Sequence, residues 1–182
     1  MMIILASNSP RRKQLLEDAG FDFTIIPSNF IEGENPGLSP EKYAEFLAEN
    51  KAKTVLEANA DAVVIGADTI VVLNGEILGK PTSPENAVEM LEKLSNKTHS
   101  VITGYAIVSK DKTVSGYDIT KVTFNNLTKE FIAKYVASGS PMDKAGAYGI
   151  QDGDLVKEIL GDYNNVVGLP VYKIKKVLAE FI

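Results

Sequence analysis

The run AVVIGADTIVVL at residues 62–73 is almost entirely apolar, and a run of this length predicts a strand buried in a sheet. The dipeptide Asn74-Gly75 follows at once and is a strong signal for a two-residue hairpin turn. A short return strand at residues 76–78 completes the hairpin. The fold must therefore supply a sheet with enough covering structure to bury this strand.

Helical and strand patterns alternate along the rest of the chain. Strands are predicted at residues 3–6, 21–27, 99–109, 113–127 and 155–160, with a loop at 161–168. Helices are predicted from Pro10 to Gly20, from Pro40 to about Asn59, from Pro84 to about Leu94, from Thr128 to Gly139, and from about Pro170. This order predicts an α/β fold with a twisted mixed β-sheet flanked by helices, built as one domain over residues 1–182 with two lobes.

Composition narrows the class of protein. The 182 residues carry a net charge of −5 and no cysteine, which excludes disulfides and thiolate chemistry. The acidic balance argues against nucleic-acid binding, and the single histidine, His99, excludes a histidine metal cluster. The opening MMIILA is too short for a signal peptide and no run is long enough to span a membrane. We expect a cytoplasmic protein with no membrane partner.

The first helix begins with an unusual charge pattern. Arg11, Arg12 and Lys13 crowd its first turn, where the helix dipole favours acids, whereas the other two Ser-Pro helix starts carry Glu41 and Glu85. Either this turn is simply a solvated basic surface, or the cations clamp an anion bound at the helix N-terminus. If an anion is the reason, replacing Arg12 by Ala should slightly stabilise the protein without ligand.

Three further charged residues stand out. Asp68 interrupts the buried strand, so it needs a cation, a metal or several hydrogen-bond donors, whether its role is catalytic or structural. Lys51 lies on the apolar stripe of its helix and either extends to the surface or reaches a phosphate site. Glu32 lies in a polar loop and is either solvated or a metal ligand. The cations of the first helix, Lys51, Lys80 and the buried Asp68 together suit metal-assisted attack of water on a phosphate.

Several segments together resemble one family. LASNSPRR, the ENKA around Lys51, GADT, LGKP, LSNKTHSVITG, DKAGAYGIQ and GDYNNVVGLP occur in the order found in Maf proteins, the Maf/septum-formation-inhibitor-like nucleoside triphosphate pyrophosphatases. The resemblance implies hydrolysis of a nucleoside triphosphate to the monophosphate and pyrophosphate, with Mg²⁺ or Mn²⁺. It also implies two lobes with a deep cleft, as in inosine-triphosphate pyrophosphatases.

The resemblance also assigns roles to residues. It implies that Asp68 is the proton acceptor and that Glu32 and Asp68 hold the metal. It matches the substrate-binding positions to Ser7, Arg11, Arg12, Lys51, Thr69, Lys80 and Gln151. Within that set Arg11, Thr69 and Gln151 are tied to substrate choice, and GADT with YGIQ resembles the dTTP/UTP branch rather than the 7-methyl-GTP branch.

Two positions depart from the family pattern, and one functional alternative stays open. Asn96 and Asp152 stand where glycine is common, and Asp152 could change the edge of the pocket beside Gln151 and accept a hydrogen bond from the amino group of CTP. The expected role is removal of nucleotides from the cellular pool. The alternative is a non-catalytic nucleotide-binding regulator of cell division, which would gain nothing from a buried Asp68. A homodimer is left open.

Overall fold

Seven strands form one mixed sheet in the computed structural model, which describes all residues 1–182. The strands are β1 (Ile3–Leu5), β2 (Thr24–Ile25), β3 (Val63–Leu73), β4 (Glu76–Leu78), β5 (Thr98–Val108), β6 (Thr113–Phe124) and β7 (Val156–Leu160). Their order is β2-β1-β3-β5-β6-β7, with β4 paired to β3. β1 runs parallel to β2 and β3, whereas β4 and β7 are antiparallel to β3 and β6. The predicted fold class is confirmed.

Six α-helices accompany the sheet. They are α1 (Pro10–Asp18), α2 (Pro40–Glu57), α3 (Pro84–Leu94), α4 (Lys129–Ala137), α5 (Tyr163–Val167) and α6 (Val171–Leu178), with 3₁₀ turns at Ser140–Asp143 and Ala145–Ala147. Helices α1 to α4 begin at or within one residue of the predicted positions. Each is capped by a hydroxyl that accepts a hydrogen bond from the amide three residues on, from Ser9, Ser39, Ser83 and Thr128 respectively. No helix is both long and apolar enough to cross a membrane.

Two predicted segments differ from the structure. Residues 161–168 contain the helix α5 rather than only a loop, because the buried Asn165 is anchored by hydrogen bonds from its Nδ2 to the Val101 carbonyl and the Thr120 hydroxyl. Such a short helix has no periodicity to detect. The strand predicted at 21–27 is reduced to β2, because only Thr24 and Ile25 pair with β1.

The chain divides into two compact units. The first unit comprises Met1–Thr69, Thr103–Asp118 and Gly168–Ile182, and the second comprises Ile70–Ile102 and Ile119–Val167. In the first unit, alternate residues of β1 and β3 enter two different cores: Leu5 and Ile65 belong to one, Ile4 and Val64 to the other. Both faces of these strands are therefore buried, which explains why β3 is a continuous apolar run.

Helix α2 lies unusually close to the sheet within the first unit. A Cβ atom at Gly66 would overlap the Ala48 carbonyl, and one at Gly104 would overlap the Ala44 carbonyl. Only glycine at these two strand positions allows the small residues of α2 to pack directly on β3 and β5. This close packing sets the position of every side chain that α2 directs toward the sheet.

The single histidine is a core residue of the second unit. His99 is 2% exposed, its Nε2 lies 2.7 Å from the Tyr148 hydroxyl, and its ring packs edge-on against Phe124. Burial lowers the pKa of His99 to about 4. A neutral imidazole is therefore part of the folded structure.

We expect His99 to make folding stability fall in mild acid. The unfolded histidine titrates near 6.5 and the folded one near 4, so the unfolded chain binds more protons between these values. The His99 contribution is complete above about pH 6.5 and is lost as the pH falls through this window, by about 3 kcal/mol in total. Chemical denaturation across this pH range measures the slope.

The control for this slope is His99→Gln, which keeps a hydrogen-bonding group for Tyr148 but cannot titrate. Because the carboxylates titrate equally in both proteins, the difference between the two pH profiles isolates the imidazole. Parallel profiles would show that His99 contributes nothing to acid sensitivity.

Candidate active site

Asp68 on β3 is a buried carboxylate that pairs with a lysine of α2. It is 9% exposed, and its Oδ1 accepts a hydrogen bond from the Lys51 ammonium at 2.5 Å. A carboxylate removed from water in this way requires a paired charge. Lys51 supplies it, and does so because Ala48 and Ala52, its neighbours along α2, pack against Gly66 of the same strand.

Lys51 contacts a second carboxylate. Its Nζ lies 2.5 Å from Oε1 of Glu32, so one ammonium, 18% exposed, bridges two acids. The loop that carries Glu32 is attached to α2, because the Tyr43 hydroxyl donates to the Gly33 carbonyl at 3.1 Å. Burial, followed by the charges of Glu32 and Asp68, raises the pKa of Tyr43. The phenol therefore stays protonated and keeps its donor role.

Arg12 is held by three groups of the first unit. Its Nε donates to the Gly168 carbonyl at 2.7 Å, one Nη to the Ser7 hydroxyl at 3.3 Å, and the other to the Thr69 hydroxyl at 3.0 Å. A guanidinium has five N–H groups, so one N–H on each Nη remains for a ligand. Guanidinium N–H groups make strong, charge-assisted hydrogen bonds to phosphate and carboxylate oxygens.

These contacts correct the expectation for the helix start. An unpartnered Arg12 would be unfavourable beside the helix dipole, but the structure shows a cation with three acceptors. The premise that Arg12 lacks partners in the ligand-free protein is therefore wrong, and we expect its replacement to destabilise the protein rather than to stabilise it. The sequence pattern could not reveal this, because Gly168 and Thr69 are distant from Arg12 along the chain.

The electrostatics still favour an anion at Arg12. Burial lowers the pKa of Arg12, the charge of Asp68 opposes that effect, and the charge of Arg11 lowers the pKa further. The guanidinium nevertheless remains charged, because arginine is not deprotonated in proteins. An anionic ligand would offset both unfavourable contributions.

Thr103 was not singled out from the sequence. It is fully buried on β5, and its hydroxyl lies 2.9 Å from that of Thr69. The sequence feature that could have drawn attention to it is a threonine within the mainly apolar segment VITGYAIV at residues 101–108. Because Thr69 bonds both Thr103 and Arg12, it orients the guanidinium as well as lying beside Asp68.

The predicted residues fall in both units. In the first unit, hydrogen bonds join Arg12 to Ser7 and Thr69, and ion pairs join Lys51 to Glu32 and Asp68. The two groups meet where Asp68 and Thr69 are neighbours on β3. Arg11 is half-buried on the first turn of α1. Lys80 and Gln151 belong to the second unit, where both are exposed.

Glu32 and Asp68 form a donor pair that fits a small divalent cation. Each places an oxygen 2.5 Å from the same ammonium, so both can reach one positive charge. No group of three or more histidine, cysteine, aspartate or glutamate side chains lies together. Mg²⁺ is commonly bound by one or two carboxylates together with waters and substrate phosphates, so two carboxylates suit such an ion.

Comparison with known proteins shows the family. The family model described as Maf-like protein matches residues 2–181. The dTTP/UTP pyrophosphatase of Bacillus cereus (strain AH820) is 53% identical over 181 residues, which is 98% of this chain and 95% of that protein. One from Bacillus anthracis has the same name and the same identity and coverage. The chain therefore belongs to the Maf family.

A more distant likeness is seen among solved structures. The crystal structure of a nucleoside-triphosphatase / dITP/XTP pyrophosphatase from Mycobacterium abscessus covers 100% of this chain and 99% of its own, with 14% identity and a TM-score of 0.46. We draw no conclusion from a likeness of this size.

Replacing Arg12 by Ala should destabilise the ligand-free protein. The change leaves the Gly168 carbonyl without its donor and removes the hydrogen bonds to the Ser7 and Thr69 hydroxyls, at a cost of about 1–3 kcal/mol. For a chain of this size that corresponds to a fall in melting temperature of roughly 2–4 °C per kcal/mol. Thermal melts without nucleotide measure it.

Lys13→Ala is the matched control. It removes the same charge from the same helical turn, but Lys13 is 49% exposed and makes only a surface pair with Glu17. Its melting temperature should therefore stay close to that of the parent. If both variants melt together, or if Arg12→Ala melts higher, the three contacts of Arg12 do not contribute to stability.

Proposed function

We propose that this chain is a nucleoside triphosphate pyrophosphatase that hydrolyses dTTP and UTP to the monophosphate and pyrophosphate, with Mg²⁺ or Mn²⁺ as cofactor. The names of the Bacillus relatives support the substrates, and the family supports the reaction. The role that follows is removal of these nucleotides from the cellular pool.

The observation that carries the proposal is a buried carboxylate within a cluster of cations. Asp68 accepts a hydrogen bond from Lys51, and Thr69, the next residue on β3, accepts one from Arg12. A regulator that only binds nucleotide needs the cations, but a carboxylate close to phosphates would weaken its binding. A hydrolase needs that carboxylate, because water must lose a proton as it attacks phosphorus.

The cations are arranged to receive a triphosphate. The two remaining N–H groups of Arg12 and the N-terminus of α1 offer directed donors. Phosphate oxygens would compete with Glu32 and Asp68 for the Lys51 ammonium. This competition would free the two carboxylates to bind the metal and, for Asp68, to accept a proton. We therefore assign Lys51 to neutralising phosphate charge and Asp68 to accepting the proton of the attacking water.

Glu32 and Asp68 would hold the divalent cation. When bound, this ion neutralises phosphate charge and polarises the bond that breaks. Asp68 is well suited to the reaction because it is held on a strand rather than on a loop. Glu32 lies on a loop and its side chain is 47% exposed, so it can adjust as the ligand enters.

Base choice is assigned to Arg11, Thr69 and Gln151 from the family resemblance. In the structure the Thr69 hydroxyl is already bonded to Arg12 and Thr103. We therefore infer that Thr69 orients Arg12, and its role in substrate choice remains a prediction from the sequence. Lys80 and Gln151 remain predictions from the sequence, with Lys80 assigned to phosphate.

Asp68→Asn should abolish turnover and preserve the fold. Asparagine keeps the shape but cannot accept the proton, and loss of a general base reduces the rate by roughly 10²–10⁴. Release of pyrophosphate from dTTP with Mg²⁺ or Mn²⁺ measures it, and Asp61→Asn, an exposed acid next to β3, is the control. A near-parental rate for Asp68→Asn would refute the catalytic assignment of Asp68, whereas a parent protein that binds nucleotide but releases no pyrophosphate would favour the binding-only regulator.

A panel of dTTP, UTP, CTP and 7-methyl-GTP tests the substrate. dTTP and UTP share the O2, N3–H and O4 edge, so both should be hydrolysed, with pyrophosphate and not orthophosphate as product. CTP exchanges N3–H and O4 for an acceptor and a donor, which leaves pocket groups unpaired, so kcat/KM should fall by about tenfold or more.

Two outcomes of the panel would change the assignment. Comparable efficiency on CTP and UTP would refute discrimination by the pyrimidine edge, and a preference for 7-methyl-GTP would place the chain in the other branch. Gln151→Ala should narrow the gap between UTP and CTP more than it lowers the rate on UTP.

A further inference from the structure

We propose that Asp152 is a positioning residue, which, together with Tyr135, fixes the turn that carries Gln151. The proposal rests on the proposed function, because Gln151 is one of the residues assigned there to the choice of nucleobase. It concerns the second unit alone and depends on contacts among α4, the 3₁₀ turn Ser140–Asp143 and the glycine-rich segment that follows.

Gln151 is presented by a tight turn. The Asp152 amide donates to the Gly149 carbonyl at 3.0 Å, which closes a four-residue turn with Ile150 and Gln151 at its centre. Gln151 is exposed. Its location is therefore set by the backbone of the turn rather than by burial of its own side chain.

One phenol holds both ends of this turn. The Tyr135 hydroxyl accepts a hydrogen bond from the Gly149 amide at 3.0 Å and donates to Oδ2 of Asp152 at 2.7 Å. Tyr135 lies on α4 and is 8% exposed. Burial, and next the hydrogen bond to Asp152, raise the pKa of Tyr135. The phenol therefore stays protonated, and its single proton is directed at the carboxylate.

The same carboxylate oxygen receives further support. The Ser140 hydroxyl donates to Oδ2 of Asp152 at 2.7 Å, and the Lys144 ammonium lies 3.9 Å from it while donating to the Ser140 carbonyl at 2.5 Å. Lys144 is 12% exposed, so its charge is well shielded from water. Hydrogen bonds to a charged acceptor are stronger than those between neutral groups.

Packing leaves the turn little freedom. A Cβ atom at Gly149 would lie 2.8 Å from Oδ2 of Asp152 and 2.9 Å from Cε of Lys144. The carboxylate and the lysine stem thus cover the first residue of the turn. They hold it against α4 on the side that the Tyr135 hydroxyl already anchors.

These contacts give Asp152 a different role from the one that the sequence suggested. The sequence suggested that an acid next to Gln151 could accept a hydrogen bond from the amino group of CTP. In the structure Oδ2 of Asp152 is instead engaged by Tyr135 and Ser140 within the protein. A glycine, the residue common in the family at this position, has no side chain that could make these bonds.

Steady-state kinetics on UTP and CTP test the positioning role. Asp152→Ala should raise the KM for UTP roughly tenfold while kcat changes less than about twofold, because a mobile Gln151 loses binding common to substrate and transition state. The preference for UTP over CTP should narrow. Asp154→Ala removes an equal charge from an exposed position two residues on and should leave the kinetics unchanged.

Tyr135→Phe distinguishes positioning from a direct effect of the charge. It removes the hydroxyl that joins both ends of the turn but keeps the ring and the Asp152 carboxylate. It should raise the KM for UTP as Asp152→Ala does. The KM of the double variant should rise by much less than the product of the two single fold-changes. A parental KM for Tyr135→Phe, or fully multiplicative effects, would overturn the positioning role.

Hydrogen exchange separates this proposal from the proposed function. In Asp152→Ala the amides of residues 149–152 should exchange faster than in the parent, and in Asp154→Ala they should not. Unchanged exchange in Asp152→Ala would overturn the clamp whatever the activity. If the parent protein releases pyrophosphate from no nucleotide, the proposed function fails, and so does the effect of Asp152 on substrate binding. Amide hydrogen exchange would still show whether Asp152 holds the turn.

Discussion

The ion pair between Asp68 and Lys51 depends on how closely α2 approaches the sheet. Glycine at 66 and 104 lets the alanines of α2 rest on β3 and β5, and this closeness brings the Lys51 ammonium to the carboxylate. Without that partner Asp68 would be a buried, uncompensated charge, which costs far more than a surface acid. The same packing places Glu32 within reach of the ammonium, so one backbone approach organises three charged side chains.

Arg12 shows a second use of buried polar contacts. Its guanidinium is oriented by the Gly168 carbonyl and by the Ser7 and Thr69 hydroxyls, which come from three separate segments of the first unit. Donors that are already oriented lose less conformational entropy when a ligand arrives. The cation thus stabilises the protein through three of its N–H groups and keeps two for an anion. A helix start that opposes its own dipole is consistent with both tasks.

Much of the local structure could be predicted. The starts of four helices, the Asn74-Gly75 hairpin and the long strand β3 follow from short-range chemistry and were found where expected. The short helix α5 and the short strand β2 were not, because each depends on partners distant along the chain. The unusual residues Arg12, Lys51 and Asp68 could be singled out because each breaks a local rule.

What those residues contact could not be derived from local rules. Periodicity placed Lys51 on an apolar stripe and left open whether it extends to the surface or reaches a phosphate site. Only the packing of α2 on β3 joins it to Asp68 and Glu32. The sequence likewise suggested that Asp152 could accept a hydrogen bond from CTP, and only the folded structure shows that Tyr135 and Ser140 donate to it. Helix caps, turns and buried runs are encoded within a few residues, so the amino-acid order alone specifies them. Ion pairs and buried hydrogen bonds join segments separated by tens of residues, so they exist only once the chain has folded.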